Sequence, residues 1–246
     1  MSEQRTIAIV PAHNEVGAIG AVVDEIRAFD ASFDVLVVDD GSSDATASVA
    51  AAHGAAVVSL PFNLGIGSAV QTGFKYALAG GYTRAVRLDG DGQHDPAELP
   101  KLLAVLDADA ADVVTGSRFA GEVAGGHRPP SHRRAGIVFF AKLVSLLTRQ
   151  RVTDTTSGFQ ALNLRGIALF ANDYPSDYPE VEAILLVSKH RLRLVEVPVR
   201  MHEREHGKSS ITFLRSVYYM LKVTLALIVA MLRRYTVPED EEVAGR

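Results

Sequence analysis

The chain contains no cysteine among its 246 residues, which excludes a disulfide framework, a thiolate metal site and a cysteine nucleophile. Its chemistry therefore rests on oxygen and nitrogen ligands. Excess positive charge is missing too: the formal net charge is −4, which speaks against general nucleic-acid binding. The basic residues that are present gather in 127–134, 189–193 and 200–208, loops suited to a small ligand carrying phosphate. The apolar run at residues 6–10 is too short for the core of a signal peptide and no cleavage signature follows it, so a cytoplasmic protein is expected. No linker rich in Pro, Ser or Gly divides the chain and no segment repeats. Residues 1–210 are accordingly expected to form one domain, 211–234 an apolar helix and 235–246 an acidic, disordered tail. A long uninterrupted hydrophobic run is also absent. The most hydrophobic stretch, 211–232, is broken by Arg215 and Lys222, and its uncharged part from Val223 to Leu232 is about half of the ~20 residues a bilayer span needs. This helix is expected to lie at a membrane surface or against a small membrane protein, the alternative being packing on the core or on a second copy in a homo-oligomer.

What is present is a regular alternation. Short β-branched and apolar runs at 6–10, 35–38, 56–60, 85–88 and 112–115 read as buried strands, with a further strand at 192–199. Between them, 16–29, 44–53, 67–80 and 96–107 carry apolar residues at helical spacing, and Pro96 suits a first helical turn. Strands alternating with helices imply an α/β fold with a Rossmann-like, doubly wound, mostly parallel sheet whose ligands sit at the carboxyl ends of the strands. Beyond residue 116 come a loop at 120–134, an apolar helix near 135–148, a loop at 149–158 and a helix near 179–190.

Four strand ends carry polar motifs. Strand 85–88 runs into Asp89-Gly-Asp91-Gly-Gln93-His94, where two carboxylates separated by glycine in a turn can converge on one hard divalent cation and leave positions open for phosphate oxygens; Gln93 can add a carbonyl oxygen. A solvated turn uses the same residue types, and the position at a strand end is what sets this pair apart. The strand at 35–38 opens on Asp39-Asp40-Gly41-Ser42-Ser43-Asp44; one of the aspartates can accept a hydrogen bond from a base or ribose, while Ser43 and Asp44 read as helix caps. The first strand leads to Pro11-Ala-His-Asn-Glu15, in which Asn14 or Glu15 can cap a helix or meet a ligand, and His13 reads as an ordinary surface histidine. The fourth motif, Asn63-Leu-Gly65-Ile-Gly67, permits close backbone approach but is neither a dinucleotide fingerprint nor a P-loop.

In this order and at these separations the motifs resemble the family 2 inverting glycosyltransferases with the GT-A fold. Further on, Gly116-Ser-Arg118, Thr156-Ser-Gly-Phe159 and the stretch from Arg204 to Ser210 are most similar to the polyprenyl-phosphate sugar synthases, the dolichyl-phosphate mannosyltransferase group. The resemblance implies a nucleotide-diphosphate sugar donor, GDP-mannose first and a UDP-hexose second, and a polyprenyl phosphate acceptor at the cytoplasmic membrane face. It further implies that Pro11, Glu15, Asp39 or Asp40 and Gly67 hold the nucleotide. Asp89, Asp91 and Gln93 would hold Mg2+ or Mn2+. Arg118 and Arg204 would act with Asp91 at the donor phosphates, and Arg133 or Arg134 would meet the acceptor phosphate, since planar guanidinium groups match phosphate oxygens.

Relatives that act on sugar hydroxyls carry a Glu-Asp pair near the start of the late helix, where a carboxylate serves as general base. Here that region reads Tyr178-Pro-Glu180-Val-Glu182, without the pair. A phosphate monoester has its second pKa at about 6 and attacks without such a base, so the departure favours a lipid phosphate. Glu180 or Glu182 as base keeps open a transferase acting on polysaccharide hydroxyls, and a nucleotide-sugar-binding scaffold without turnover is the non-enzymatic alternative. A second departure is Ser209-Ser210 where the synthases have Ser-Lys.

Overall fold

The computed structural model describes residues 4–121, 131–176, 179–203, 222–225 and 227–229, with the backbone alone at 131–135. Its centre is a seven-stranded sheet: β1 (Thr6–Ala12), β2 (Asp34–Asp39), β3 (Ala56–Ser59), β4 (Arg84–Arg87), β5 (Val113–Ser117), β6 (Gln160–Asn163) and β7 (Leu194–Pro198), in the order β3-β2-β1-β4-β6-β5-β7. Strands β1 and β2 are buried almost end to end, which is why they read as continuous apolar runs and not as alternating ones. The four N-terminal strands are parallel, β1 pairing with β2 on one side and β4 on the other. Strand order therefore reverses at β1, and a crevice opens there beyond the carboxyl ends.

One strand runs against the rest. Strand β6 is antiparallel to both β4 and β5 and sits between them. The sequence reading assigned neither β6 nor the helix after it, α6 (Leu164–Asn172). Four residues are too few to show a period, and the helix start is marked only by Asn163, whose side chain accepts from the Gly166 N–H.

Helices cover both faces. Helix α1 (Ile19–Phe29) buries Ile19, Val22, Val23 and Ile26, one stripe at helical spacing. Together with α2 (Thr46–Ala52) and α4 (Leu99–Asp107) it closes one core layer, which includes Val10, Val37, Val86 and Leu88. A 3-10 turn, Pro96–Glu98, precedes α4; Pro96 occupies its first position and Asp95 caps it, close to the expected helix start. On the other face α3 (Ile66–Ala79), α6 and α7 (Pro179–Lys189) pack over Ile9, Leu36, Val38 and Leu162. A third cluster joins α5 (Ser131–Thr148) to α7 through Phe140, Val144, Val181, Ile184 and Leu185.

The expected late helix is described only at 222–225 and 227–229, both helical, and the rest of 211–234 and all of 235–246 lie outside the described residues. Val223 and Leu227 are fully buried in the third cluster, each worth about 1.5–3 kcal/mol of apolar transfer. Leu225, Ile228 and Val229 face outward, as do Val138, Phe139 and Leu146 of α5. No helix among the described residues is long and apolar enough to cross a membrane.

Candidate active site

The four motif-bearing strand ends line one cleft of about 350 Å3. The end of β1 contributes Pro11, His13 and Glu15, the turn after β2 contributes Asp40, the loop after β3 contributes Asn63, Gly65 and Ile66, and the end of β4 contributes Asp89, Gly90 and Asp91.

The two consecutive aspartates have different surroundings. Asp40 lines the cleft, and its two carboxylate oxygens accept from the Leu64 N–H at 2.7 Å and the Gly65 N–H at 2.9 Å, which ties the loop after β3 to the end of β2. Asp39 is buried beside it, off the cleft wall, where it accepts from the Ser42 N–H at 3.1 Å. The turn between them requires glycine: Gly41 has φ +63°, and a Cβ there would stand 2.4 Å from the Phe62 carbonyl carbon. Of the two glycines after β3, Gly65 lines the cleft, whereas Gly67 is pressed against the backbone of Pro175 and Ser176, where a Cβ would come within 2.2 Å of the Pro175 carbonyl oxygen.

The loop after β1 is stitched to the loop after β2. Asn14, with φ 55°, accepts from the Ser43 N–H and hydroxyl and donates its own N–H to the Ser42 hydroxyl. Ser43 is thus turned toward Asn14, and Asp44 accepts from the Thr46 N–H at 2.9 Å from one residue before the N-cap position, Ala45, which itself makes no side-chain cap bond. His13 is exposed, in keeping with its reading as a surface histidine, and it also lines the cleft. Its Nε2 faces the Asn14 amide nitrogen at 3.0 Å and so accepts, which leaves Nδ1 to donate to the Asp40 carbonyl oxygen at 2.8 Å.

Asp89 and Asp91 stand side by side in the cleft wall. Asp91 accepts from the Gln93 N–H at 3.1 Å, closing the turn. The Gln93 amide nitrogen donates to the His202 carbonyl at 3.5 Å, so Oε1 is what this side chain has to offer a cation. His94 is buried and stacked on Phe159, accepts the Asp89 N–H at Nδ1 (3.0 Å), and places Nε2 3.8 Å from the Asp89 carboxylate. Burial pushes the His94 imidazole below its ordinary pKa despite the acids beside it. For Asp89 burial works the other way, but the His94, Arg87 and Arg118 side chains outweigh it and hold the carboxyl below its usual range. Carboxylate oxygens of this kind suit a hard divalent cation such as Mg2+ or Mn2+. Among the described residues no cluster of three or more His, Cys, Asp or Glu surrounds a point, so phosphate and water would complete the shell.

Arg118, at the end of β5, is clamped by Asp154, which accepts from its Nε at 2.8 Å and its Nη2 at 2.9 Å; Thr156 takes a further Nη2 proton. Nη1 makes no hydrogen bond to the described residues. Asp154 is fully buried; burial alone would raise its pKa, yet the Arg118 guanidinium holds it below the ordinary carboxylate value. Arg204 lies outside the described residues, and so do the side chains of Arg133 and Arg134, whose backbone forms the first turn of α5.

Sequence reasoning passed over Asp154 and the group beneath Asp89. Arg87 is 1% exposed, the largest side chain so deeply buried, and donates to Tyr174 Oη at 3.0 Å and Glu180 Oε1 at 2.8 Å, with Asp89 Oδ1 at 3.4 Å. A signal existed: an arginine two residues before the DxD pair, set between buried Val86 and Leu88, points to the same face as buried Ala85.

Comparison with known proteins agrees with this geometry. Residues 7–168 match the profile described as glycosyl transferase family 2. An undecaprenyl-phosphate mannosyltransferase of Micrococcus luteus is 32% identical over 222 residues, covering 85% of this chain and 88% of that one. A polyprenol monophosphomannose synthase of Mycolicibacterium smegmatis is 33% identical over 220 residues, covering 85% and 82%. Among solved structures, glucosyl-3-phosphoglycerate synthase from Mycobacterium tuberculosis, in complex with Mn2+, UDP-glucose and phosphoglyceric acid, superposes with a TM-score of 0.67 at 23% identity, over 93% of this chain and 80% of that one. The fold is therefore GT-A, and the chain is a glycosyltransferase that belongs to glycosyl transferase family 2.

Proposed function

We propose that the protein transfers a hexose, with inversion, from a nucleotide-diphosphate sugar to polyprenyl phosphate, with Mg2+ or Mn2+ held by Asp89 and Asp91. The observation that carries this reading is the engagement of Glu180. It stands at the start of α7, where hydroxyl-acting relatives place a general base, and its Oε1 is bonded at 2.8 Å to the buried Arg87. That carboxylate is committed to balancing a buried guanidinium and is not left free for an acceptor hydroxyl. An acceptor that arrives ionised needs no such base. The names of the Micrococcus and Mycolicibacterium relatives support the same acceptor.

Pro11, Glu15, Asp40 and Gly65 are assigned to the nucleoside, and Asp39 and Gly67 to the packing that supports it. Arg118, through Nη1, and Arg204 are assigned to the donor phosphates, and Arg133 and Arg134 to the acceptor phosphate. A bound divalent cation would offset the charge that builds on the leaving diphosphate. The chain's own part is to hold the donor so that its anomeric carbon faces the acceptor oxygen from the side opposite the diphosphate. The outward apolar residues of α5 and the outward Leu225, Ile228 and Val229 support a peripheral position at a membrane surface, which we assign to the cytoplasmic face. GDP-mannose ranks first as donor and a UDP-hexose second.

The test is product chemistry: incubation with GDP-mannose or UDP-glucose, a divalent cation and undecaprenyl phosphate should yield an acid-labile glycosyl-phosphate lipid. Turnover with oligosaccharide acceptors and none with polyprenyl phosphate would replace this reading with the hydroxyl-acting one.

A further inference from the structure

A fully buried guanidinium needs a reason. Removing such a charge from water costs several kcal/mol unless it is paired and hydrogen-bonded. Arg87 lies on the face of β4 that packs against α3 and α6, beside apolar Ala85, and its partners come from three separate parts of the chain: Asp89 on its own strand end, Tyr174 after α6, and Glu180 in the first turn of α7. Two of these bonds are short, 3.0 Å to Tyr174 and 2.8 Å to Glu180, whereas Asp89 stands at 3.4 Å. Tyr174 and Glu180 therefore anchor the guanidinium, and Asp89 rests against it.

Two further observations point the same way. Gly158, in the Thr156-Ser-Gly-Phe159 motif, roofs this contact: a Cβ there would lie 2.8 Å from Asp89 Oδ1 and 2.9 Å from Arg87 Nη2. Gln160 is directly across from Arg87 on β6 and thus on the same face, and neither its buried Oε1 nor Arg87 Nε meets a hydrogen-bond partner among the described residues. The two atoms mark a polar strip built into the sheet under the DxD pair.

We propose that Arg87 is a positioning residue for the cation site: anchored by Tyr174 and Glu180, it sets the orientation of the Asp89 carboxylate, so that the grip on the cation and diphosphate depends on the first turn of α7. The arrangement keeps Arg87 neutralised by Glu180 when Asp89 turns its charge to a cation. It makes Glu180 part of the support for Asp89. The inference rests on the reading of Asp89 as a cation ligand.

The experiment measures Mn2+ binding by electron paramagnetic resonance and calorimetry, with Mn2+ alone and with Mn2+ plus UDP or GDP, in the wild type and in Arg87→Lys, Glu180→Gln, Tyr174→Phe and Asp89→Asn. Arg87→Lys and Glu180→Gln should each weaken Mn2+–nucleotide binding about tenfold and broaden the bound Mn2+ signal, measured well below a thermal midpoint that both lower because each disturbs a buried ion pair. Tyr174→Phe, which keeps every charge, should weaken it less. Wild-type affinity and line shape in Arg87→Lys and Glu180→Gln, while Asp89→Asn loses binding, would overturn the positioning role and leave the cation site intact. Wild-type binding in Asp89→Asn would instead remove the cation reading itself. If Arg87→Lys does not fold, Glu180→Gln and Tyr174→Phe decide: wild-type affinity in both overturns the proposal.

Discussion

The clamp on Arg118 allows a worked prediction. Asp154 is fully buried and receives five hydrogen bonds: from the Arg118 backbone N–H, Nε and Nη2, and from the Thr156 N–H and hydroxyl. Asp154→Asn keeps the shape but leaves one acceptor oxygen, and it turns an NH2 donor toward donors that have no other partner. Breaking a buried ion pair from one side costs about 3–5 kcal/mol. The Arg118 side chain is 18% exposed, so water relieves part of that cost and about 2 kcal/mol is the expected loss. The thermal midpoint should fall by several degrees while the protein stays folded at 25 °C. The effect on turnover should be larger than the effect on folding. A guanidinium released from its clamp no longer presents Nη1 at a fixed place, and loss of one charge-assisted contact to a donor phosphate, about 2.7 kcal/mol, is about a hundredfold in kcat/KM. Steady-state kinetics beside calorimetric unfolding separates the two. A variant that melts earlier yet retains wild-type kcat/KM would show that Arg118 is a structural arginine, and the reasoning would fail.

Other residues are open to the same scrutiny. Asp112 is fully buried at the start of β5; burial would raise its carboxyl, but bonds from Arg193, Asn163 and Arg165 hold it below the ordinary value. A depressed folded pKa means its contribution is complete above about pH 4 and is lost as pH falls through the lower folded value. Asp112→Asn should therefore lower the melting temperature at pH 7 and flatten its decline below about pH 4; an unchanged acid limb would contradict this. Gly158→Ala drives a methyl group into the Arg87–Asp89 contact and should weaken Mn2+–UDP binding about tenfold, read by paramagnetic resonance, whereas wild-type affinity would mean the contact is slack. Replacing Leu225, Ile228 and Val229 together by serine should abolish flotation with anionic vesicles while sparing turnover on a short, water-soluble polyprenyl phosphate; unchanged flotation would place the membrane contact elsewhere.

Much of the cleft was legible from residue order because its parts are local. Strands β1 to β4 are buried runs ending in polar turns, and in a parallel sheet every such turn falls on the same edge, so Pro11, Asp40, Asn63 and Asp89 meet without further information. Which of two neighbours faces the ligand was not legible. Asp39 and Asp40 differ only in the side of the chain they occupy, and Gly65 and Gly67 only in what packs against them. Both choices depend on the pleat of β2 and on the approach of residues 175–176, which no local pattern records.

The alternation of strands and helices, the cleft at their carboxyl ends and the DxD pair at its wall follow from the chain's own periodicity and turn residues, since these depend on contacts a few residues apart. The reversed strand β6, the clamp of Asp154 on Arg118 and the union of Arg87 with Glu180 join residues far apart in sequence. A buried charge has meaning only through its partners, and those partners are chosen by packing. That is why the sequence leaves Glu180 or Glu182 open as a base, whereas in the folded protein Glu180 is the anchor of a buried arginine.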